Sequence, residues 1–250
     1  GHYIPLDISP SNFESALRML PKLGFVGVNV TLPHKESLLR IADIVTERAA
    51  LIGAANTVTF HKDGRIHADN TDGLGFVANL KQNAPDWLPS SGPAAVFGAG
   101  GAARAVVTAL LETGVPEIRI ANRTRQRAEV FRQDFDPQVV VQDWAEASDM
   151  VQGVATVVNT TSLGMTGKAE FGLSLDGLSP GALATDIVYT PLKTHFLIEA
   201  EARGARIVDG LGMLLHQAPP GFERWFGHKP QVEEETRRVV LSAGRCFASA

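Results

Sequence analysis

The stretch Ala95-Val96-Phe97-Gly98-Ala99-Gly100-Gly101-Ala102-Ala103-Arg104 places a glycine cluster between a short apolar run and an alanine-rich helical pattern. Gly98, Gly100 and Ala103 fit the spacing G-x-G-x-x-A. In a dinucleotide-binding turn, the first glycine permits the tight turn, the second lets the backbone approach a pyrophosphate, and the small third residue lets the helix lie close to the strand. Unpaired N–H groups at the helix N-terminus then face the phosphates. Residues 98–102 are therefore predicted to bind a dinucleotide, although glycines also form ordinary turns.

The segment Asn122-Arg123-Thr124-Arg125-Gln126-Arg127 follows the next predicted strand, residues 117–121. An NAD site usually carries an acidic residue at this point to bind the ribose hydroxyls, whereas this segment has three arginines. A guanidinium group suits a 2′-phosphate through its charge and its paired donors. The segment therefore predicts NADP rather than NAD. The alternative is a solvated basic helix start, in which the arginines would oppose the helix dipole.

The composition excludes several classes of protein. The chain has 250 residues, 44% hydrophobic and 20% charged, which is typical of one large or two modest soluble domains. Its net charge of -4 indicates no nucleic-acid partner, and no apolar run is long enough to cross a membrane. The single cysteine, Cys246, excludes an internal disulfide framework and favours a cytoplasmic location. The seven histidines lack the spacing of a metal site.

A lysine in the first part of the chain is a candidate for proton transfer. Pro33 suits the first turn of a helix, and apolar residues between positions 38 and 45 supply a buried face at helical spacing. This pattern predicts that Lys35 lies in the first turn of that helix, and a lysine is one of the residues that transfer protons in enzymes. The alternative is a solvated surface lysine.

The polar run Asp69-Asn70-Thr71-Asp72-Gly73 precedes a predicted amphipathic helix over residues 74–80. Its cap-competent residues exceed what one helix needs. An Asp72 carboxylate beside Lys35 would form a proton-relay pair, while capping is the alternative for the first two residues of the run. Asn56, at the start of a predicted strand, is either a turn residue or a ligand contact, and the sequence leaves this choice open.

The chain is predicted to form two α/β domains. Residues 83–93 are rich in proline and serine, and we expect them to link a substrate domain, residues 1–83, to a dinucleotide-binding domain, residues 84–212. The first domain has a predicted hairpin with strands at 57–60 and 66–68, and further strands at 3–6 and 25–30.

The second predicted domain has alternating strands and helices. Its strands are predicted at residues 94–97, 117–121, 139–141, 154–159, 184–186 and 206–209. This alternation predicts a doubly wound parallel sheet of the Rossmann type. Residues 213–250 follow a complete sheet, so we expect them to form helices that pack back on the first domain.

Polar residues follow two of these strands. The clusters Asn159-Thr160-Thr161-Ser162 and Asp186-Ile187-Val188-Tyr189-Thr190-Pro191 stand at strand ends, where open parallel sheets bind ligands. We assign Thr160 and Ile187, which belong to these clusters, to the cofactor site. Turn capping is the alternative for Thr160 and for Asp186.

Taken together, the motifs resemble those of the shikimate dehydrogenase family, and the resemblance runs nearly end to end. The motifs are N-V-T-x-P-x-K at 29–35, G-A-x-N-T at 53–57, N-T-D-G at 70–73, G-A-G-G-A-A-R at 98–104, N-R-T at 122–124 and G-x-G-M-L-x-x-Q at 210–217. The resemblance implies an oxidoreductase that interconverts 3-dehydroshikimate and shikimate with NADP, in the shikimate pathway of aromatic amino-acid biosynthesis.

The resemblance also implies roles for individual residues. The catalytic pair would be Lys35 and Asp72. The substrate would be bound by Thr31, Asn56, Tyr189 and Gln217. The adenosine 2′-phosphate would be bound by Asn122, Arg123, Thr124 and Arg127. Two further residues, Gly210 and Met213, would lie beside the nicotinamide.

The sequence departs from the family pattern at its start. Family members begin with a strand and a Ser-x-Ser segment that holds the substrate carboxylate, whereas the sequence given starts after that point. Ser9 and Ser11 precede a predicted helix as caps and are not assigned this role. We expect the sequence given to be an incomplete record of a complete enzyme. The oligomeric state is left open, with a homodimer as one option.

Three alternatives stay open on the sequence. One is a quinate/shikimate dehydrogenase that prefers NAD, which the arginines oppose. Another is a different two-domain NADP dehydrogenase, such as one acting on folates, which the motifs at 29–35 and 70–73 oppose. The last is a truncated or non-catalytic form that binds NADP without turnover.

Overall fold

The chain divides into two units in this computed structural model. The structure describes residues 1–135 and 137–247, with the backbone alone for residues 244–247. The first unit consists of Gly1–Thr71 and Pro220–Pro230, and the second of Asp72–Pro219 and the chain from Gln231 onward. The assignment of a substrate domain to residues 1–83 and of an NADP domain to residues 84–212 remains a prediction.

The first unit contains a four-stranded sheet and short helices. Its elements are α1 (Phe13–Met19), β1 (Gly27–Asn29), α2 (Ser37–Ile41), β2 (Ile44–Val45), α3 (Glu47–Ile52), β3 (Thr57–Phe60) and β4 (Ile66–Asp69), with 3-10 turns at Pro10–Asn12 and Leu20–Leu23. The strand order is β1-β3-β4-β2, and the predicted hairpin is β3 and β4. Leu17, Leu38 and Ala49 of the three helices pack in one apolar cluster with Val58 and Ile66 of the sheet. Burial of this apolar area holds the helices on the sheet.

Two strands predicted near the start of the chain are corrected. Residues 3–6 form no strand, and Tyr3, Ile4 and Leu6 expose their side chains. The predicted strand at 25–30 shortens to β1. One reason is that the Phe25 N–H completes the preceding turn by bonding to the Leu20 carbonyl (3.1 Å), so Phe25 belongs to the turn.

The helix predicted around Lys35 is also shorter than expected. Helix α2 begins at Ser37, and Lys35 lies half-buried in the turn before it rather than in its first turn. The Lys35 carbonyl accepts a hydrogen bond from the Ala55 N–H (2.9 Å), a tertiary contact that holds it outside the helical ladder. Val45, predicted on the apolar face of this helix, pairs instead with Ala68 in the sheet.

From Asp72 onward the chain alternates helices and parallel strands. The elements are α4 (Asp72–Asn83), β5 (Ala94–Phe97), α5 (Gly101–Glu112), β6 (Ile118–Ala121), α6 (Arg125–Phe135), β7 (Val139–Gln142), β8 (Thr156–Asn159), β9 (Leu183–Asp186), α7 (His195–Ala202), β10 (Arg206–Val208), α8 (Leu211–His216), α9 (Ala218–Phe226) and α10 (Glu234–Phe247), with 3-10 segments at Pro89–Ser91 and Trp144–Val151. The sheet order is β10-β9-β8-β5-β6-β7, and every pairing is parallel. With β5 counted as the first strand, this is the order of a doubly wound dinucleotide-binding sheet. The six predicted strands and the predicted fold class are confirmed.

Both faces of this parallel sheet are covered. Along β5, Ala94 and Val96 belong to one buried cluster, while Ala95 and Phe97 belong to another. Successive side chains of a strand point to opposite faces, so the two clusters lie on opposite faces of the sheet. This explains why β5 is a continuous apolar run rather than an alternating one.

The C-terminal tail contributes to both units. Of residues 213–250, which were predicted to return to the first domain, Pro220–Pro230 lie in the first unit and α10 lies in the second. In the first unit, Trp225 Nε1 donates to the Val58 carbonyl (2.8 Å). A Cβ added to Gly27 would lie 1.9 Å from that Nε1 atom, so the indole requires glycine there. The side chain of Cys246 lies outside the described residues.

A buried carboxylate, Asp69, ties β4 to α3 and α9 within the first unit. It accepts hydrogen bonds from Thr46 Oγ1 (2.6 Å), Arg48 Nη2 (2.8 Å) and Arg224 Nη2 (2.6 Å). Burial raises the pKa of Asp69, but the hydrogen bonds from Thr46 and Arg224 and the charges of both arginines outweigh burial, so the pKa stays below its ordinary value of 3.8. The folded state therefore favours the ionised form of Asp69.

We expect Asp69→Asn to reduce the free energy of unfolding by about 3 kcal/mol, because two guanidinium groups lose their shared carboxylate. Urea denaturation at neutral pH measures the loss. Since the folded pKa of Asp69 is depressed, its contribution is complete above about pH 4 and is lost as the pH falls through the folded pKa. The variant and the unmodified chain should therefore converge in stability in acid.

The matched control for this prediction is Asp63→Asn. Asp63 pairs with Arg65 (2.7 Å) on the exposed hairpin turn, where an ion pair contributes little to stability. Equal losses for the two variants would contradict a special role for the buried carboxylate.

Candidate functional site

The ends of three neighbouring parallel strands meet at one edge of the second unit's sheet. The register pairs Phe97 of β5 with Asn159 of β8, and Asn159 with Asp186 of β9. The segments that follow these strands therefore start at the same level. They carry the glycine turn, Thr160 and Ile187, so the structure brings together three parts of the predicted cofactor site.

The glycine turn has the geometry predicted for it. Gly98 has φ +109°, and a Cβ added there would lie 2.7 Å from Thr160 Oγ1, so both conformation and space require glycine. Thr160 Oγ1 itself donates to the Phe97 carbonyl (2.7 Å). Gly100 has extended backbone, and a Cβ added there would meet no described atom within 4 Å. The fold thus gives no reason for glycine at Gly100, whereas close approach of a phosphate does.

The first turn of α5 completes this arrangement. The helix begins at Gly101, and Ala102 follows in its first turn, so N–H groups without intrahelical partners lie here. Ala103 is fully buried in the core. A larger residue at Ala103 would separate the helix from the sheet, as the sequence spacing predicted.

Hydrogen bonds connect the loop after β6 to the glycine turn, and the arginines of this loop differ in whether they form ion pairs. The Ala99 N–H donates to Asn122 Oδ1 (3.2 Å), and Asn122 Nδ2 donates to the Thr124 carbonyl (2.9 Å). Arg125 is paired with Asp143 (2.7 Å) and with Glu129 (3.0 Å).

Arg123 and Arg127 differ from Arg125 in their surroundings. Both are exposed, as is Thr124. Within the part of the chain that the structure describes, neither guanidinium forms a hydrogen bond or an ion pair. Their placement fits the arginines predicted to bind a 2′-phosphate, and Arg125 fits a structural role.

Asp186 organises the segment after β9. Its carboxyl accepts hydrogen bonds from Thr194 Oγ1 (2.7 Å), the Val188 N–H (2.9 Å) and Asn159 Nδ2 (3.1 Å). Burial raises the pKa of Asp186 to about 6, against the opposing effect of these hydrogen bonds. The carboxyl shapes a loop that holds Ile187 half-buried and leaves Tyr189 43% exposed.

Helix α4 lies close to α5 and α8 within the second unit, and glycines permit the approach. A Cβ added to Gly73 would lie 2.9 Å from the Ala105 carbonyl oxygen. A Cβ added to Gly75 would lie 2.6 Å from the Met213 carbonyl oxygen and 2.8 Å from the Gln217 nitrogen. The N-terminal turn of α4 is therefore held against the start of α5 and the end of α8.

This packing places several predicted site residues together. Asp72, predicted to precede a helix, is the first residue of α4 and is buried. Gln217 follows α8 directly, and Met213 lies half-buried within it. A Cβ added to Gly210 would lie 2.5 Å from the Ile187 carbonyl oxygen, so the start of α8 touches the segment after β9.

In the first unit, Asn56 is the centre of a polar network. Its Oδ1 accepts from the Thr71 N–H (2.9 Å), from Thr57 Oγ1 (2.9 Å) and from Thr71 Oγ1 (3.2 Å). The Val30 N–H donates to its carbonyl (2.8 Å). These contacts support a structural role for the Asn56 side-chain oxygen. Thr31, beyond Val30, is exposed.

The described residues contain no group of three or more His, Cys, Asp or Glu side chains that could hold a metal ion. No helix in the described ranges is long and apolar enough to cross a membrane.

Comparisons with known proteins give one consistent result. The family model for the shikimate dehydrogenase substrate binding domain matches residues 1–58, that for shikimate / quinate 5-dehydrogenase matches residues 86–165, and that for the shikimate 5′-dehydrogenase C-terminal domain matches residues 210–241. The chain is 64% identical over 242 residues to the shikimate dehydrogenase (NADP(+)) of Cereibacter sphaeroides strain KD131, covering 97% of this chain and 87% of that protein. The chain belongs to the shikimate dehydrogenase family.

Other members of the shikimate dehydrogenase family agree with this placement. The shikimate dehydrogenase (NADP(+)) of Paracoccus denitrificans is 63% identical, covering 97% of this chain and 86% of that protein. Quinate dehydrogenase from Corynebacterium glutamicum, solved with NAD, superposes with a TM-score of 0.86 at 31% identity, covering 94% of this chain and 84% of that one. Shikimate 5-dehydrogenase from Thermus thermophilus, solved with NADP(H) and shikimate, superposes with a TM-score of 0.79 at 37% identity, covering 90% and 82%.

We expect the unmodified chain to gain stability relative to the Asp186→Asn variant as the pH falls from about 7.5 to 5. Its free energy of unfolding should rise by roughly 1–1.5 kcal/mol more than that of the variant. The folded pKa of Asp186 is raised to about 6, so over this range the folded state takes up a proton that the unfolded state, with its ordinary carboxyl pKa, does not bind. Asparagine cannot titrate. Urea denaturation at both pH values measures the two free energies of unfolding.

Asp176→Asn is the control for the Asp186 titration. Asp176 pairs with Arg203 (2.5 Å), and this hydrogen bond lowers the pKa of Asp176, so its stability difference should not change over the same range. A pH-independent difference for Asp186→Asn would show that this carboxyl does not titrate near pH 6.

Proposed function

We propose that this chain catalyses the reversible NADPH-dependent reduction of 3-dehydroshikimate to shikimate, a step of aromatic amino-acid biosynthesis. The observation that carries the proposal is 64% identity over 97% of the chain to a protein named shikimate dehydrogenase (NADP(+)). The Thermus thermophilus enzyme, solved with NADP(H) and shikimate, supports the same substrate and cofactor. Oxidation of shikimate by the purified chain with NADP, followed at the NADPH absorbance band, tests the proposal.

The chain's own residues fit NADP. The turn at residues 98–102 would hold the pyrophosphate, since Gly100 offers room that the fold itself does not require. Asn122 and Thr124 would position the loop around the 2′-phosphate, and Arg123 and Arg127 would supply its countercharge. Thr160 and Ile187 would also contact the cofactor, and Gly210 and Met213 would lie beside the nicotinamide. The cofactor supplies hydride chemistry when bound, and the protein supplies position.

We propose that the substrate is bound by Thr31, Asn56, Tyr189 and Gln217. Two facts support the assignments of Tyr189 and Gln217. Tyr189 keeps 43% of its surface exposed although it follows a buried strand, so a ligand can reach this residue. Gln217 directly follows α8, and a Cβ added to Gly75 would lie 2.8 Å from its backbone nitrogen, so Gln217 is held against the helix that begins at Asp72.

We propose that Lys35 exchanges a proton with the hydroxyl oxygen of the substrate and that Asp72 accepts a hydrogen bond from the same hydroxyl. As hydride reaches the ring ketone, the forming alkoxide takes a proton, and in the reverse direction the hydroxyl gives it up. Two observations support the pair. The Lys35 carbonyl is held by Ala55, which fixes the backbone that carries the amine. Asp72 is buried at the first position of α4.

Lys35→Ala is expected to reduce kcat about 10²–10⁴-fold, the usual contribution of acid–base catalysis, with a much smaller effect on the KM for shikimate. Steady-state kinetics at saturating NADP measures both. Lys62→Ala, in the exposed turn between β3 and β4, is the control and should retain the kcat of the unmodified chain. A near-normal kcat for Lys35→Ala would refute the proposed role.

Arg123→Ala should raise the KM for NADP roughly 10-fold or more, because a charge-assisted contact to the 2′-phosphate is lost, and should leave the weaker reaction with NAD nearly unchanged. Arg125→Ala is the matched comparison. Its guanidinium is committed to Asp143 and Glu129, so this variant should affect stability more than cofactor choice. Equal losses with both cofactors for Arg123→Ala would contradict the 2′-phosphate assignment.

A cytoplasmic location and a homodimer are further proposals. The single cysteine of the sequence supports a reducing compartment. Sedimentation of the purified chain and fractionation of the source cell test the two proposals separately.

A further inference from the structure

The turn that begins α8 is clamped from two sides by α4 and β9. Gly210 lies so close to the end of β9 that an added Cβ would be 2.5 Å from the Ile187 carbonyl oxygen. Asn79 of α4 donates through Nδ2 to the Asp209 carbonyl (2.7 Å). A Cβ added to Gly212 would lie 1.8 Å from Asn79 Oδ1, so the side-chain amide of Asn79 packs directly against the backbone of α8. None of these contacts allows the turn to shift toward α4 or β9.

A third contact comes from the C-terminal helix α10. Arg237 donates through Nη2 to Asp209 Oδ2 (2.5 Å) and through Nη1 to Asp209 Oδ1 (3.2 Å). The same Oδ1 accepts the Leu211 N–H (3.0 Å) in the first turn of α8. The side chains of Arg237 and Asp209 are only 23% and 24% exposed, so water screens this pair less than a surface pair.

The segment that leads into α10 is itself anchored to α4. Gln82 Nε2 donates to the Val232 carbonyl (2.9 Å), and Gln82 Oε1 lies 2.8 Å from His216 Nε2 near the end of α8. Helices α4, α8 and α10 therefore form one hydrogen-bonded set within the second unit. Within this set, the guanidinium of Arg237 on α10 contacts the Asp209 carboxylate, which lies just before α8.

We infer that Arg237 is a positioning residue for the nicotinamide end of the cofactor, because it holds the Asp209 carboxylate that shapes the turn carrying Gly210 and Met213. The inference rests on the proposed function, in which these two residues border the nicotinamide. The inference concerns only the nicotinamide end of the cofactor and not the 2′-phosphate end. Helix α8 follows β10 at one edge of the sheet, whereas Arg123 follows β6 toward the other edge. Loss of the Arg237 contact should therefore leave 2′-phosphate binding intact.

The test compares Arg237→Met with Arg238→Met in the full chain. Methionine keeps an apolar stem of similar length and removes the guanidinium. Arg238 is the matched control, because it stands on the same helix and pairs with Glu235 on the exposed side (2.6 Å). Calorimetry without substrate measures the affinity of each variant for NADPH and for adenosine 2′,5′-bisphosphate, which has the 2′-phosphate and lacks the nicotinamide.

Arg237→Met should weaken NADPH binding roughly 10-fold, because the turn beside the nicotinamide then has to be ordered when the cofactor binds, while adenosine 2′,5′-bisphosphate binding changes less than about twofold. Arg238→Met should change neither. Arg237→Lys should recover part of the loss, because an ammonium group keeps the charge without the paired donors. In the absence of any ligand, amide hydrogen exchange at Leu211 should be faster in Arg237→Met than in Arg238→Met.

Two results would overturn the inference. The first is equal NADPH affinity for Arg237→Met and Arg238→Met. The second is an equal loss of NADPH and adenosine 2′,5′-bisphosphate binding in Arg237→Met, which would indicate general damage to the unit. Failure of the proposed function is distinct from both, because the unmodified chain would then bind NADPH but not oxidise shikimate.

Discussion

The parallel alignment of β5, β8 and β9 is the constraint on which the second unit depends. Backbone hydrogen bonds set Phe97, Asn159 and Asp186 level with one another, so the three segments that follow start together. A slip of one residue would turn every side chain of a strand to the opposite face, and apolar burial on both faces opposes this. The sheet aligns the strands that precede the glycine turn, Thr160 and Ile187. This alignment, more than contacts among these residues, brings them close together.

Close backbone approach is the second constraint on this unit. Gly73, Gly75 and Gly212 each lie where a Cβ would collide with a neighbouring helix or its side chain. The absence of side chains lets α4 lie directly against α5 and α8, and this fixes Asp72 at the start of α4. In packing of this kind a single added methyl group has to displace backbone, which protein interiors resist. The glycines therefore determine where the Asp72 carboxylate stands.

Local patterns predicted the second unit far better than the first. Its strands are buried apolar runs separated by helical periodicity, and that signal lies within each short segment. The first unit has short elements whose ends depend on distant partners. The carbonyl of Lys35 bonds to Ala55, and Val45 joins the sheet beside Ala68, so neither residue belongs to the helix that their local spacing predicted. The residues at 3–6 had a strand-like composition but remain exposed.

Residue type and spacing over short distances were enough to predict the doubly wound sheet, the glycine turn after β5 and a loop without an acidic residue after β6. Which arginine of that loop forms ion pairs depends on tertiary contacts, since Arg125 pairs with Asp143 after β7 while Arg123 stays exposed. Tertiary structure also brought Arg224 to Asp69 and Arg237 to Asp209. Partners so far apart in the chain leave no periodic signal, and a charge acquires its role only when folding removes water from around its partner.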